Sequence, residues 1–272
     1  IMLSDMGVHV MDVAFPVVSE SDRRGLQLIA KAQMDGRIRK DVEILAMCRS
    51  NHGDIDAVVD TMKEIGAPAD QVSVLVLSTI SDLHMKYKNG QFLLKREGRD
   101  QKEWLDLPVE FYRKANINMN TDGVAYARER GFSRVEFAAE DASRGSLEYA
   151  IEWAKSCIRA GGTRFCFSDT CGVLTPEAVD HYFPALVKAL PAGFELTAHF
   201  HDDFGIGAYN CARALSHGAS HAGVTANSIG ERAGNASLQL TVMILKEMYG
   251  VVLPGFRYDR LVELRRAIER AS

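Results

Sequence analysis

Seven short apolar runs, each rich in β-branched or aromatic residues, recur along this chain and constrain its fold more than any other feature. Their starting points lie 26 to 35 residues apart, except for one gap of 63 residues. Amphipathic segments lie between most of the runs. This rhythm is typical of βα units, in which buried parallel strands alternate with helices. We predict strands over residues 8–15, 43–49, 71–79, 134–141, 164–169, 195–202 and 221–227.

Two architectures accommodate this alternation, an open doubly wound sheet and a closed (β/α)8 barrel. Doubly wound nucleotide-binding folds usually have a glycine-rich turn after the first strand, and no such turn follows the first run here. Seven units therefore favour the α/β class with a (β/α)8 TIM barrel, which has eight strands. Residues 1–6 look like the end of a helix capped by Gly7. We expect the first strand and most of the first helix to precede Ile1.

The barrel is predicted to extend over residues 1–253, with one long insertion. Within the gap of 63 residues lies a charged stretch, residues 86–116, which we call the excursion. We interpret it as a solvated surface segment, and a lid over the site is the functional alternative because barrel loops carry active sites. After Pro254 the pattern changes, and residues 254–272 are predicted to begin a C-terminal helical extension.

Composition excludes several classes of protein. Lys and Arg total 32 against 36 Asp and Glu, a net charge of −4, so neither nucleic acid nor a membrane is an expected partner. No apolar run approaches the roughly 18 residues that a membrane span needs, and the first residues do not resemble a signal peptide. The five cysteines form no C-x-x-C pair, which indicates buried free thiols in a reducing cytoplasm.

The strongest local signal for chemistry is a His-Phe-His-Asp-Asp segment that starts at His199. Alternate residues of a strand share one face, so His199 and His201 both point into the barrel. Two neutral imidazoles can bind one metal ion at about 2.0–2.2 Å and leave positions for a carboxylate and a substrate. The alternative is a hydrogen-bonded pair of core histidines. A matched pair near the carboxyl end of a strand, followed by two aspartates, favours a metal.

This segment resembles a signature of the family that contains the isopropylmalate, homocitrate and citramalate synthases. That family shares its metal-dependent barrel with the hydroxymethylglutaryl-CoA lyases. Further motifs resemble the family in the family's order, namely DVAFPxxSE at residues 12–20, SDLHMKYK at 81–88, FAAEDASR at 137–144, SDTxGxxTP at 168–176 and GERAGNAS at 230–237. The family's strand-one motif, Arg-Asp-Gly or Arg-Glu-Gly, does not occur before Val8. We expect its acidic metal ligand upstream of Ile1.

The resemblance implies an acyltransferase that condenses acetyl-CoA with a 2-oxo acid. In this Claisen-type reaction the thioester is then hydrolysed to give a 2-alkylmalate-type acid, and the general base can come from beyond the barrel. Two alternatives stay open. One is a carbon–carbon lyase similar to hydroxymethylglutaryl-CoA lyase, although no cysteine follows Asn227, where lyases carry a glycine-flanked cysteine. The other is a catalytically inactive relative that binds ligands only.

The resemblance also assigns roles to individual residues. Glu140 assists proton transfer or orders the site, with a structural ion pair to Arg144 as the alternative. His84 is a catalytic and substrate-binding residue that contacts the 2-oxo acid. Thr170 binds the oxo-acid carboxylate through its hydroxyl, and Ala138 lines the substrate pocket where relatives usually have serine.

A glycine-rich turn follows the last predicted strand and precedes a helix that opens at about residue 236. The N-terminus of a helix in this place commonly holds anionic groups. The turn therefore suits the phosphates or pantetheine of coenzyme A, or a role for an asparagine beside the metal. The residues implied are Gly230, Glu231 and Gly234 for coenzyme A, and His199, His201 and Asn235 for the metal.

The sequence also bears on the identity of the 2-oxo acid and of the metal. Homocitrate synthases typically place arginine at the position of Glu136, so an acidic residue there makes 2-oxoglutarate a less expected substrate. The metal is expected to be Mg, Mn or Zn. We expect a cytoplasmic homodimer that acts in amino-acid biosynthesis or secondary metabolism.

Overall fold

The computed structural model describes residues 1–271, so Ser272, the end of the predicted extension, lies outside the described residues. The strands are β1 (Val10–Ala14), β2 (Glu43–Arg49), β3 (Ser73–Thr79), β4 (Val135–Glu140), β5 (Arg164–Asp169), β6 (Glu195–Phe200) and β7 (His221–Gly223). The helices are α1 (Met2–Asp5), α2 (Glu20–Met34), α3 (His52–Lys63), α4 (Gly90–Arg96), α5 (Val109–Glu129), α6 (Leu147–Arg159), α7 (Pro176–Ala189), α8 (Gly207–Ser216), α9 (Leu238–Tyr249) and α10 (Leu261–Ala271).

The seven strands form one parallel sheet in the order β1 to β7, each paired with its sequence neighbours. All seven predicted strands are confirmed, and with them the α/β class and the barrel topology. The sheet curls far enough for Arg164 on β5 to contact Glu43 on β2, with 2.7 Å between Nη2 and Oε1. An eight-stranded barrel would have one more strand between β7 and β1, and residues 1–271 contribute none there.

Side chains alternate between the two faces of the sheet. The outward face packs against the helices in one large core that contains Trp153, Phe165 and Phe183. The inward face carries a small apolar cluster of its own, which comprises Leu45, Leu75, Ala138 and Cys166 with Val10, Met47 and Leu77 beside it. Polar residues on this inward face lie above and below the cluster, so the lumen has a charged end on either side of an apolar middle.

The structure differs from the predicted elements at β7. The strand was expected to reach residue 227, but it ends at Gly223, and Asn227 and Ser228 adopt left-handed backbone conformations with φ of 56° and 57°. This early end lets the chain fold back across the barrel, where His201 forms an isolated bridge with Asn235.

The excursion contains ordered structure. It begins within a π-helical turn (His84–Lys88) and continues through α4, a short 3-10 helix and the first residues of α5. Gly7 follows α1 with φ of 95°, and an added Cβ there would lie 2.8 Å from the Gly255 carbonyl oxygen. No helix within residues 1–271 has the length and apolar character needed to cross a membrane. All five cysteines are free.

Candidate active site

The predicted site residues gather at the carboxyl-terminal end of the strands. His84 follows β3, Glu140 ends β4, Thr170 follows β5, and His199 lies on β6, with His201 directly after it. In barrels of this kind the loops at this end carry the active site. Sequence positions that are far apart therefore meet on one rim.

His199 and His201 lie side by side, with ring centroids 5.2 Å apart and ring planes at 82°. His199 Nε2 is 3.0 Å from the amide nitrogen of Asn235. Burial, with the neighbouring His201, lowers the pKa of His199 to about 4. Burial, followed by the charge of Arg232, also lowers the pKa of His201. Both rings are therefore neutral at pH 7 and keep a nitrogen lone pair.

The loop after β7 positions Asn235. The Asn235 side chain rests directly on Gly230, where an added Cβ would fall 1.7 Å from its Oδ1. Gly234 has φ of 105°, and an added Cβ there would lie 2.1 Å from the Ser228 carbonyl oxygen. These glycines are thus required for the loop to close over the histidine pair. The third predicted coenzyme A residue, Glu231, is exposed on the same loop.

His84 and Glu140 face each other on the opposite part of the rim. His84 Nδ1 is buried without a hydrogen-bond partner and lies 3.5 Å from Glu140 Oε1. Asp141, which is fully buried, accepts a hydrogen bond from Arg144 at 2.7 Å. Burial alone would raise the pKa of Asp141, but this hydrogen bond holds it below its usual value. The backbone nitrogen of Asp141 donates to Thr170 Oγ1 at 2.8 Å.

Arg232 joins the two parts of the rim. Its guanidinium binds the Asp203 carboxylate through two nitrogens at 2.7 and 2.6 Å, and Nη2 also donates to the Thr170 carbonyl oxygen at 2.6 Å. The same nitrogen is 3.2 Å from His201 Nδ1. Arg232 has a left-handed φ of 56°. Such a conformation costs about 1–3 kcal/mol and persists only where the surroundings enforce it.

The structure gives Glu140 and Glu136 partners that the sequence did not indicate. The ion pair with Arg144 that was the structural alternative for Glu140 does not form, because Arg144 binds Asp141 and Glu140 is bound by Lys88 instead. Glu136 lies near the start of β4, at the other end of the strand from Glu140. It is buried in an ion pair with Arg164 at 2.7 Å and accepts a hydrogen bond from Thr197 at 2.8 Å.

Ala138 lies one step deeper in the lumen than the rim residues. It shares a face of β4 with Glu140 and is in register with Leu77 on β3 and Cys166 on β5. Its neighbours belong to the apolar cluster of the lumen. A methyl group at this position continues the apolar wall up to the rim.

Sequence reasoning missed the roles of Lys88, Asp141 and Arg232 at the rim. All three lie within the motifs that resemble the family, so the signal was present in their position. Their type alone did not single them out, because charged residues in loops are usually solvated. Their partners come from other loops, and only the folded rim brings them together.

Comparison with known proteins establishes the family and the fold of the chain. Residues 1–268 match the model of the HMGL-like family. The chain belongs to the HMGL-like family. Among solved structures, the HMG-CoA lyase of Bacillus subtilis superposes with a TM-score of 0.67 at 18% identity, covering 99% of this chain and 83% of that one. The HMG-CoA lyase of Brucella melitensis gives the same TM-score and identity, with coverage of 99% and 87%. At this identity the likeness establishes the fold.

The curated relatives of the chain are synthases by name. A probable 2-isopropylmalate synthase of Methanopyrus kandleri is 35% identical, over 99% of this chain and 46% of its own. The (R)-citramalate synthase of Methanocaldococcus jannaschii is 33% identical, over 98% and 47%. A homocitrate synthase of Methanothermobacter thermautotrophicus is 31% identical, over 98% and 59%. The chain thus spans about half the length of the curated relatives that it matches.

Proposed function

We propose that this protein condenses acetyl-CoA with a 2-oxo acid and releases a 2-alkylmalate-type acid and coenzyme A. The observation that carries the proposal is the histidine pair beside Asn235, on the same rim as Thr170 and Glu140. Loss of a proton from the acetyl methyl group gives an enolate, which attacks the keto carbon. Water then cleaves the thioester. The names of the relatives support this class of reaction.

The donor set at the rim fits a divalent metal ion. His199 and His201 are neutral imidazoles of the kind that bind such ions, and Asn235 can add an amide oxygen. Within residues 1–271 no group of three His, Cys, Asp or Glu side chains is suited to hold a metal. Further ligands would have to come from elsewhere, such as the substrate. When bound, the metal supplies Lewis acidity toward a keto and carboxylate group.

The remaining rim residues have assignable tasks in this reaction. Thr170 Oγ1 accepts a hydrogen bond from Asp141, and its hydroxyl hydrogen stays available to donate to the oxo-acid carboxylate. His84 Nδ1, buried and without a partner, is available to the substrate. Glu140 can accept or return a proton at the rim. Ala138 and the apolar wall below it then face the oxo-acid side chain.

Coenzyme A is assigned to the loop of Gly230, Glu231 and Gly234. This loop leads to α9, where Ser237 accepts the Leu240 backbone N–H as a helix cap. Backbone N–H groups at a helix start favour anionic groups such as phosphates. The homodimer and the cytoplasmic location stay predictions.

The test measures thiol release from acetyl-CoA with Ellman's reagent, across a panel of 2-oxo acids, with and without chelator. We expect release that depends on one or a few oxo acids and stops with chelator. Release that ignores the oxo acid or the chelator would contradict the proposal. Cleavage of a 3-hydroxyacyl-CoA in place of condensation would favour the lyase alternative, and ligand binding without either reaction would favour the inactive relative.

A further inference from the structure

Lys88 makes the closest polar contacts of Glu140. Its Nζ donates to both carboxylate oxygens, at 2.7 Å to Oε1 and 2.9 Å to Oε2. Arg144, which follows Glu140 by four residues in the sequence, binds Asp141 instead. Among the described residues, Lys88 is thus the cation that hydrogen-bonds to the Glu140 carboxylate.

The backbone conformation brings Lys88 to this place. Residues His84–Lys88 form a π-helical turn, closed by the Asn89 N–H on the His84 carbonyl oxygen at 2.9 Å. The side chains of His84 and Lys88 both reach Glu140 from this turn. π-Helical turns are rare and occur frequently at functional sites.

We propose that Lys88 is a positioning residue that holds the Glu140 carboxylate at the rim in the orientation needed for proton transfer. The inference rests on the proposed function, in which Glu140 is a catalytic residue. Lys88 acts through Glu140, so its loss should change turnover more than substrate binding. This role also makes the excursion part of the site, because Lys88 belongs to residues 86–116.

A purely structural role would leave a different signature. Lys88 is 53% exposed, and an exposed ion pair contributes only about 0–1 kcal/mol to stability. Lys86 offers a matched comparison two residues earlier. Its Nζ donates to the Leu107 carbonyl oxygen at 3.1 Å and lies 5.9 Å from the centre of the Tyr112 ring, so it ties the excursion together without reaching Glu140.

The experiment compares Lys88→Met, Lys88→Arg and Lys86→Met in the whole protein, with kcat and both KM values from the thiol-release assay. We expect Lys88→Met to lower kcat about 30-fold and to change each KM less than about threefold, because orientation of a reacting group mainly affects the chemical step. Lys88→Arg should recover most of kcat, since it restores the charge and the donors. Lys86→Met should stay within about twofold of wild type.

A double variant tests whether Lys88 acts through Glu140. Glu140→Gln and Glu140→Gln/Lys88→Met should have the same kcat, because removal of the carboxylate leaves Lys88 nothing to position. Equal effects of Lys88→Met and Lys86→Met, a KM change at constant kcat, or additive losses in the double variant would overturn the inference. If Lys88→Met fails to fold, Lys88→Gln replaces it.

The wild-type assay separates this inference from the proposed function. A wild-type protein that releases no thiol with any oxo acid overturns both. An active wild type with an unaffected Lys88→Met variant overturns the role of Lys88 alone.

Discussion

The amino-terminal and carboxyl-terminal ends of the barrel lumen both hold charged side chains, and they differ in burial and in pairing. At the amino-terminal end, Arg164 is 2% exposed and contacts Glu136 and Glu43 at 2.7 Å and Glu195 at 3.4 Å. Arg134 binds Glu43 and Glu195 from outside. Every charge here has a partner within the protein.

At the carboxyl-terminal end the charges are more accessible and less completely paired. His84 has an unpartnered nitrogen, two imidazoles stand side by side, and Arg232 has a strained backbone. A buried and fully paired network contributes to a defined fold. Strained backbone persists only where the surrounding structure enforces it, and it is concentrated at active sites and ligand clamps. The comparison therefore supports a stabilising role for the amino-terminal network and the proposed chemistry at the carboxyl-terminal end.

The largest expected effect is at the histidine pair. His201→Ala should lower turnover by at least about a thousandfold, roughly 4 kcal/mol, because one of two imidazole ligands is lost. Thermal unfolding should change little. Elemental analysis and the thiol-release assay check this together. His217→Ala removes an imidazole that binds Asp180 and lies directly after α8. This variant should keep both metal and turnover, and equal losses in the two variants would break the comparison.

Next in size is the loss of the buried cation at the opposite end. Arg164→Met should lower the free energy of unfolding by about 3 kcal/mol, because Glu136 is left buried without its counter-charge. Turnover per folded molecule should stay near that of wild type. Denaturant unfolding measures the free energy of unfolding. Kinetics normalised by active-site titration measure the turnover per folded molecule. Arg260→Met, in an exposed pair with Glu263, should cost less than about 1 kcal/mol.

A smaller effect is expected at Thr170. Thr170→Val should raise the KM for the oxo acid about tenfold, because it removes one hydrogen bond to the carboxylate and leaves the Asp141 N–H unpaired. Thr170→Ser should retain near-normal KM. Steady-state kinetics at saturating acetyl-CoA measure the difference. A serine variant as poor as the valine variant would argue against the hydroxyl as the binding group.

The smallest effect concerns Asp12, on the edge strand β1. Desolvation by the surrounding protein, followed by the charge of Glu136, raises the pKa of Asp12 to about 7. The residue is nevertheless exposed at the edge of the sheet. The folded protein therefore holds a proton that the unfolded chain releases near pH 4, and wild-type stability falls as pH rises from 4 to 7. The stability of Asp12→Asn relative to wild type should therefore increase as the pH rises over this range. The increase should not exceed about 1 kcal/mol, because solvent screens the group.

Thermal melts between pH 4 and 8 check this expectation. The opposite trend is expected for Asp180→Asn. Hydrogen bonds from Arg213 and His217 lower the Asp180 pKa to about 2, so its contribution is present above pH 4 and is lost as pH falls toward 2. Parallel curves for the two variants would show that the local charges do not control the pH dependence.

Much of the fold could be predicted because the relevant forces are local. Strands such as β2 and β5 match their predicted bounds, since buried parallel strands are continuous apolar runs. The histidine pair was also predictable, because the two-residue period of a strand fixes which side chains share a face. The early end of β7 was not, because the closing contact between His201 and Asn235 joins residues far apart in sequence.

The sequence by itself determined the order of strands and helices, the inward face of each strand and the candidate ligands His199 and His201. Tertiary structure decided which charges are partners. In the folded protein Glu136 forms a buried ion pair with Arg164, and Glu140 binds Lys88 rather than Arg144. The physical reason is the separation along the chain of the residues that interact. The periodicity of a strand or helix depends on residues that are close in sequence. An ion pair at the rim depends on which loops lie next to each other, and the loops take up these positions only when the whole sheet has formed.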